Sequence, residues 1–214
     1  MSSSSVAIID YGMGNLRSVC KAIEHVAPAA RVVVTSDPQV VGRAERVVFP
    51  GQGAMPDCMR ELEARGLRPA VLKAAREKPF LGICIGLQML FHHSEEGNVP
   101  GLGVFPGEVR RFPEARMVSL QGDRLKVPHM GWNRVFQTGA HPMWEGIPDG
   151  ERFYFVHSYF VAPDDQDLTV ATTDYGLRFT SGVARDNIFA VQFHPEKSAH
   201  AGLHFLANFM RWKP

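Results

Sequence analysis

The sequence predicts an α/β protein with a mainly parallel central sheet flanked by helices and extended by antiparallel strands. Two observations carry that prediction. Through residue 94, short apolar strands alternate with stretches of helical periodicity, the pattern of βαβ units. Beyond residue 100 the strands are shorter and separated by Gly, Pro and Asp turns, as in antiparallel pairing. The length of 214 residues suits one domain, 1–214, large enough to bury a sizeable core.

The elements follow in order. Residues 6–10 (VAIID) read as a buried strand, followed by the loop YGMGN and a helix over 16–26. Strands are expected at 31–35 and 46–50, the second ending on the loop PGQG. Helices are expected at 55–65 and 69–77. The apolar run 80–84 (FLGIC) reads as a strand entering a helix over 85–94. Strands around 103–110, 132–136, 152–160, 168–173, 181–185 and 188–193 precede a last helix over about 200–212.

Hydrophobic residues at 45% and charged residues at 21% are ordinary for a globular chain. A formal charge of +1 gives no reason to expect nucleic acid or an acidic membrane as partner. No apolar run is long enough to span a bilayer, and the start MSSSS lacks the features of a signal peptide, so a cytoplasmic location is expected. The three cysteines, Cys20, Cys58 and Cys84, are odd in number and form no CxxC, which argues against disulfides and structural zinc.

Cys84 stands out among them. Gly82-Ile83-Cys84-Ile85-Gly86 has the form G-x-C-x-G at a strand-to-helix junction, the arrangement of a nucleophile elbow. Glycines two residues either side are expected because side chains there would collide. The helix start would direct N–H groups at the sulfur and favour the thiolate, and the Ile85 N–H could stabilise an oxyanion. By itself the motif fits a buried cysteine in a glycine-flanked turn equally well. Cys20 and Cys58 lie inside expected helices without such flanks and read as packing or surface residues.

A cysteine nucleophile needs a base, and nine histidines compete. His194 ends an apolar strand in Val191-Gln192-Phe193-His194-Pro195-Glu196. Pro195 favours an extended His194. In an extended tripeptide Glu196 would project to the same side and orient the imidazole. A solvated strand end is the alternative, and the elbow tips the choice toward a Cys84–His194–Glu196 triad. His92 and His93 read as surface residues. His200 and His204 have the spacing of a helical metal pair but no further ligand nearby, so no metal is expected. His141, before a proline, reads as structural.

On Pro50-Gly51-Gln52-Gly53, the run Pro79 to Gln88 and Phe193-His194-Pro195-Glu196, the chain resembles the class I (triad) glutamine amidotransferases over nearly its whole length. That resemblance implies a flavodoxin-like α/β fold and glutamine hydrolysis by Cys84, His194 and Glu196 with no cofactor. It also implies an oxyanion hole of Gly51, Gln52, Gly53 and Ile85, and substrate contacts from Gln88, Glu96, Ser158 and Tyr159.

Further runs, Asp10 to Val19, Pro128-His129-Met130-Gly131-Trp132-Asn133 and His194 to Ser198, are similar to the glutaminase subunits of imidazole glycerol phosphate synthases. They imply a heterodimer with a (β/α)8-barrel subunit that uses the ammonia in histidine biosynthesis. Asn15, Trp132 and Lys197 are the expected interface residues. YGMGN could instead be a phosphate loop, but Arg17 stands where a third glycine would be needed. The run around Trp132 could be an ordinary core turn or a partner contact, since Trp is enriched in interface hot spots. A glutaminase for another synthase, a γ-glutamyl peptidase needing no partner and a non-catalytic binding module are the competing readings.

Overall fold

The computed structural model describes residues 4–119 and 121–214, so the leading Ser2 and Ser3 lie outside it. The elements in chain order are β1 (Ser5–Ile9), α1 (Leu16–Val26), β2 (Arg31–Thr35), α2 (Pro38–Arg43), β3 (Arg46–Gly51), α3 (Met55–Ala64) and α4 (Arg68–Glu77). Then come β4 (Phe80–Cys84), α5 (Ile85–Gln88), β5 (Phe91–Ser94), β6 (Val99–Pro100), β7 (Phe105–Arg111), β8 (His129–Gln137) and β9 (Glu151–His157). β10 (Tyr159–Pro163), β11 (Thr169–Asp174), β12 (Arg178–Arg185), β13 (Ile188–Val191) and α6 (Ala199–Arg211) complete the chain.

Strands β2-β1-β3-β4-β13 form a parallel core in that order. β12 joins β13 antiparallel and begins the extension through β10 and β7, with β11, β8 and β9 branching from β12. β3 and β4 are buried at every position, which requires cover on both faces. Helices supply it: α1 packs on α6, and α2 on α4. α1 buries Val19, Ala22 and Ile23, spaced i, i+3 and i+4 on one face. From His129 to Val135, β8 instead alternates less and more exposed positions, as a sheet with one wet face does. No helix of the described residues is long and apolar enough to cross a membrane.

Three elements differ from expectation. The helix expected over 85–94 is a single turn, Ile85–Gln88, and residues 91–94 are a strand. The run IGLQMLF is helix-compatible by itself, but Phe91 packs against Phe105 and β5 pairs with β7, and that long-range pairing overrides local preference. The strand expected over 152–160 breaks at Ser158 into β9 and β10, which join different neighbours. Helix α2 was not expected, although its signal is present. Asp37 caps it by accepting from Gln39 N–H at 2.8 Å, and Pro38 occupies its first turn.

Candidate active site

Cys84 adopts φ 55° and ψ −111°, a left-handed backbone that a non-glycine residue rarely takes. The turn is held by close approach on both sides. A Cβ on Gly86 would lie 1.8 Å from the Phe49 carbonyl oxygen. One on Gly82 would lie 2.9 Å from the Ala190 Cβ and 3.2 Å from the Gly86 oxygen. Gly86 is therefore required mainly by strand β3, rather than by a clash between the two flanking positions. α5 is only one turn long and the Cys84 side chain accepts no capping hydrogen bond from it, so the sulfur does not face the extended helix start that was expected.

Cys84 opens on a cleft of about 280 Å³ lined by Gln52, Gly53, Ile85, Gln88, Glu96, Ser158, Tyr159 and His194, together with Pro128, Val156 and His157. That volume is near the lower end for small-molecule sites. Gly51 pairs with Cys84 across β3 and β4, so the PGQG loop leaves the sheet beside the sulfur. Tyr11, fully buried, donates to the Pro50 carbonyl at 3.0 Å, and the Cys58 thiol donates to the Gln52 carbonyl at 3.5 Å. Both contacts tie the loop down. Burial, then the neighbouring Cys58, pushes the Tyr11 phenol well above its ordinary pKa, so it stays a donor. The YGMGN loop lies over the same segment, and a Cβ on Gly53 would lie 2.7 Å from Met13 Cε.

His194 Nδ1 lies 2.8 Å from Glu196 Oε1, and both side chains are 2% exposed. The reach is made by a 3-10 turn at Pro195–Lys197 rather than by an extended tripeptide, with His194 extended just before it. Ser198 Oγ donates to the His194 carbonyl at 2.6 Å, and His194 N–H donates to the Tyr154 carbonyl at 2.9 Å, which fixes the residue from both sides. Burial alone would lower the imidazolium pKa. Attraction to Cys84 and the Glu196 carboxylate outweighs burial and raises it to about 10. His194 Nε2 is buried with no hydrogen-bond partner among the described residues, leaving it free for a reacting group.

Gln88 Nε2 donates to the Tyr159 carbonyl at 3.1 Å and to Gln192 Oε1 at 3.0 Å. With both hydrogens engaged, its buried and unpartnered Oε1 is the atom left for a ligand, which must then be a donor. Glu96 Oε2 accepts from Met55 N–H at 2.8 Å and ties the cleft wall to the start of α3. The Ser158 carbonyl accepts from Phe112 N–H. Of the expected interface residues, Asn15 is exposed and bonds Ser18, Lys197 is half-buried beside Glu196, and Trp132 is 46% exposed. None of these three lines the cleft.

Sequence reasoning did not assign Gln192, fully buried, whose Nε2 lies 3.7 Å from Cys84 Sγ. Its signal was a lone amide in the apolar run before His194. Tyr11, His157 and Ser198 were also unassigned as site supports.

The model of the family described as Glutamine amidotransferase class-I matches residues 7–212. A protein of Aromatoleum aromaticum named imidazole glycerol phosphate synthase subunit HisH is 76% identical over 99% of this chain and 100% of its own length. One of the same name from Dechloromonas aromatica is 66% identical over 100% of this chain and 99% of its own length. Among solved structures, PurLQS from Thermotoga maritima superposes with a TM-score of 0.72 at 18% identity, covering 98% of this chain and 99% of that chain. A putative GMP synthase subunit from Thermoplasma acidophilum gives 0.69 at 16% identity, covering 99% and 94%. The architecture around Cys84 and the match along almost the whole chain agree: the chain belongs to the class-I glutamine amidotransferases.

Proposed function

We propose that residues 1–214 form one glutaminase domain that supplies ammonia to an imidazole glycerol phosphate synthase in histidine biosynthesis. The observation that carries the reading is the meeting of the Cys84 elbow with the buried His194–Glu196 pair at one small cleft. The names of the full-length relatives support the pathway.

In this reaction the Cys84 thiolate attacks the side-chain amide carbon of glutamine. The oxyanion is stabilised by the Ile85 N–H and the Gly51–Gly53 backbone, held by the Tyr11 and Cys58 contacts. Protonated His194 gives its Nε2 proton to the departing nitrogen, and ammonia leaves. A γ-glutamyl thioester remains. Water attacks it while His194 takes the water proton, and glutamate departs as the thiolate re-forms. Glu196 fixes the imidazole and stabilises its charged form. Gln88 Oε1 and Glu96 accept from substrate N–H groups, and the backbone at Ser158 and Tyr159 faces the substrate carboxylate. No metal or organic cofactor enters.

The partner is a (β/α)8-barrel subunit that receives the ammonia. Asn15 follows β1, and Lys197 follows β13, at the same carboxyl-terminal edge of the parallel strands as Cys84. Exposed Met130 (65%) and Trp132 (46%) on β8 supply apolar contact area. Glutamate release by the chain alone and with the liganded barrel subunit tests this. Low release alone and a sharp rise in the complex is the expected result. Full-rate release without the partner would sink the coupling.

A further inference from the structure

His129 and His157 are buried side by side in the extension of the sheet, and the triad uses neither. Their hydrogen bonds have only one consistent direction. His157 Nδ1 lies 2.7 Å from the Tyr159 carbonyl, which can only accept, so Nδ1 carries the proton. Nε2 of a neutral ring is then an acceptor. His129 Nδ1, 2.9 Å away, must donate to it, which makes His129 Nε2 an acceptor in turn. Asn133 Nδ2 donates there at 3.2 Å and to the Asp174 carbonyl at 3.0 Å. Asn133 Oδ1 accepts the Arg134 N–H at 2.8 Å, so the amide cannot be reversed. Burial pushes His129 down to about 4 and His157 to about 3, in keeping with two neutral rings.

The chain continues beyond the rings. The Tyr159 carbonyl that accepts from His157 also accepts from Gln88, whose amide donates to Gln192, whose amide reaches Cys84 Sγ. Its outer end, Asn133, lies on a surface hollow of about 630 Å³ that also carries Trp132.

We propose that His129 and His157 are positioning residues for the thiol chemistry. A one-way hydrogen-bond chain from Asn133 fixes the Tyr159 carbonyl, and through it sets the Gln88 and Gln192 amides against Cys84. The proposal rests on the reading of Cys84 as nucleophile. From Asn133 to the Tyr159 carbonyl every donor points inward; Gln88 donates back to that carbonyl and onward to Gln192, whose N–H faces the sulfur, so a disturbance at the Trp132 hollow is felt at Cys84.

Two-bond ¹H–¹⁵N imidazole spectra of the full chain at neutral pH test the direction. Both rings are expected as neutral Nδ1–H tautomers, and an Nε2–H tautomer or a charged ring at either position overturns the proposal. Iodoacetamide alkylation of Cys84 tests the consequence. His129→Phe, which removes the donor to His157, is expected to slow it about fivefold, the rate equivalent of one ordinary hydrogen bond. His129→Asn, which keeps a donor at the Nδ1 place, is expected to recover most of that rate. Equal rates in the two variants would reduce the pair to packing and overturn the proposal. Alkylation is read without glutamine, so intact tautomers and rate contrast with no glutamate release would support the chain and refute the glutaminase reading.

Discussion

In the proposed reaction, Cys84 and His194 owe their roles to their neighbours. Cys84 is held at positive φ where the backbone leaves no room for a side chain at Gly86. His194 keeps its proton because Cys84 and Glu196 outweigh the cost of burial. Its pKa is raised from 6.5 to about 10 in the folded protein, so the stabilisation it supplies is complete below pH 6.5 and is lost as pH rises through about 10. Turnover is therefore expected to hold through neutral pH and to fall on the alkaline side near 10. A pH–rate profile whose loss of the His194 proton lies near 6.5 would contradict this. Glu196→Gln keeps a polar group but removes the charge, and is expected to lower kcat by about 10²-fold or more with a smaller change in KM. These residues were legible in the sequence because backbone exceptions mark them: glycines around Cys84, and Pro195 after His194. Gln192 and the His129–His157 pair were not, because their roles depend on partners far away in sequence.

At the scale of elements, the site stands at the carboxyl edge of β3, β4 and β13, and the fit between β3 and the turn after β4 is its tightest feature. Gly86→Ala is expected to cost about 1–3 kcal/mol or more in urea denaturation, since a methyl group there meets rigid backbone at Phe49. Gly42→Ala, in α2 with nothing within 4 Å of the added methyl, is expected to be neutral or to stabilise by about 0.4–1 kcal/mol. Equal effects would contradict the close-approach account. The βαβ half was readable because its periodicity is local. The end of α5 was not, since only the pairing of β5 with β7 shows that residues 91–94 leave the helix. The break at Ser158 is likewise set by the neighbours that β9 and β10 join.

Across the whole molecule, a parallel core presents the chemistry and an antiparallel extension closes over it, carrying Tyr159, His157 and the Trp132 hollow. Both buried histidines there have folded pKa values below 6.5, so they favour the folded state fully above pH 6.5. That stability is expected to fall as pH drops from 6.5 through about 4 for His129 and about 3 for His157, by on the order of a few kcal/mol. Chemical denaturation across that range checks it, and a flat profile would contradict the neutral pair. Trp132→Ala is expected to leave folding unchanged and to weaken the barrel subunit by about 1–3 kcal/mol, read by titration calorimetry. The overall architecture was legible as alternating elements followed by short strands. The order in which the second-half strands assemble was not, because β11, β8 and β9 branch away from the main path.

The central claim is that Cys84 carries a γ-glutamyl group during glutamine hydrolysis. Acid quenching of the liganded complex during turnover, followed by peptide mass mapping, tests it most directly. The account predicts a glutamyl adduct on the peptide containing Cys84, absent from Cys84→Ala. An adduct on any other residue, or glutamate release that survives in Cys84→Ala, would contradict it.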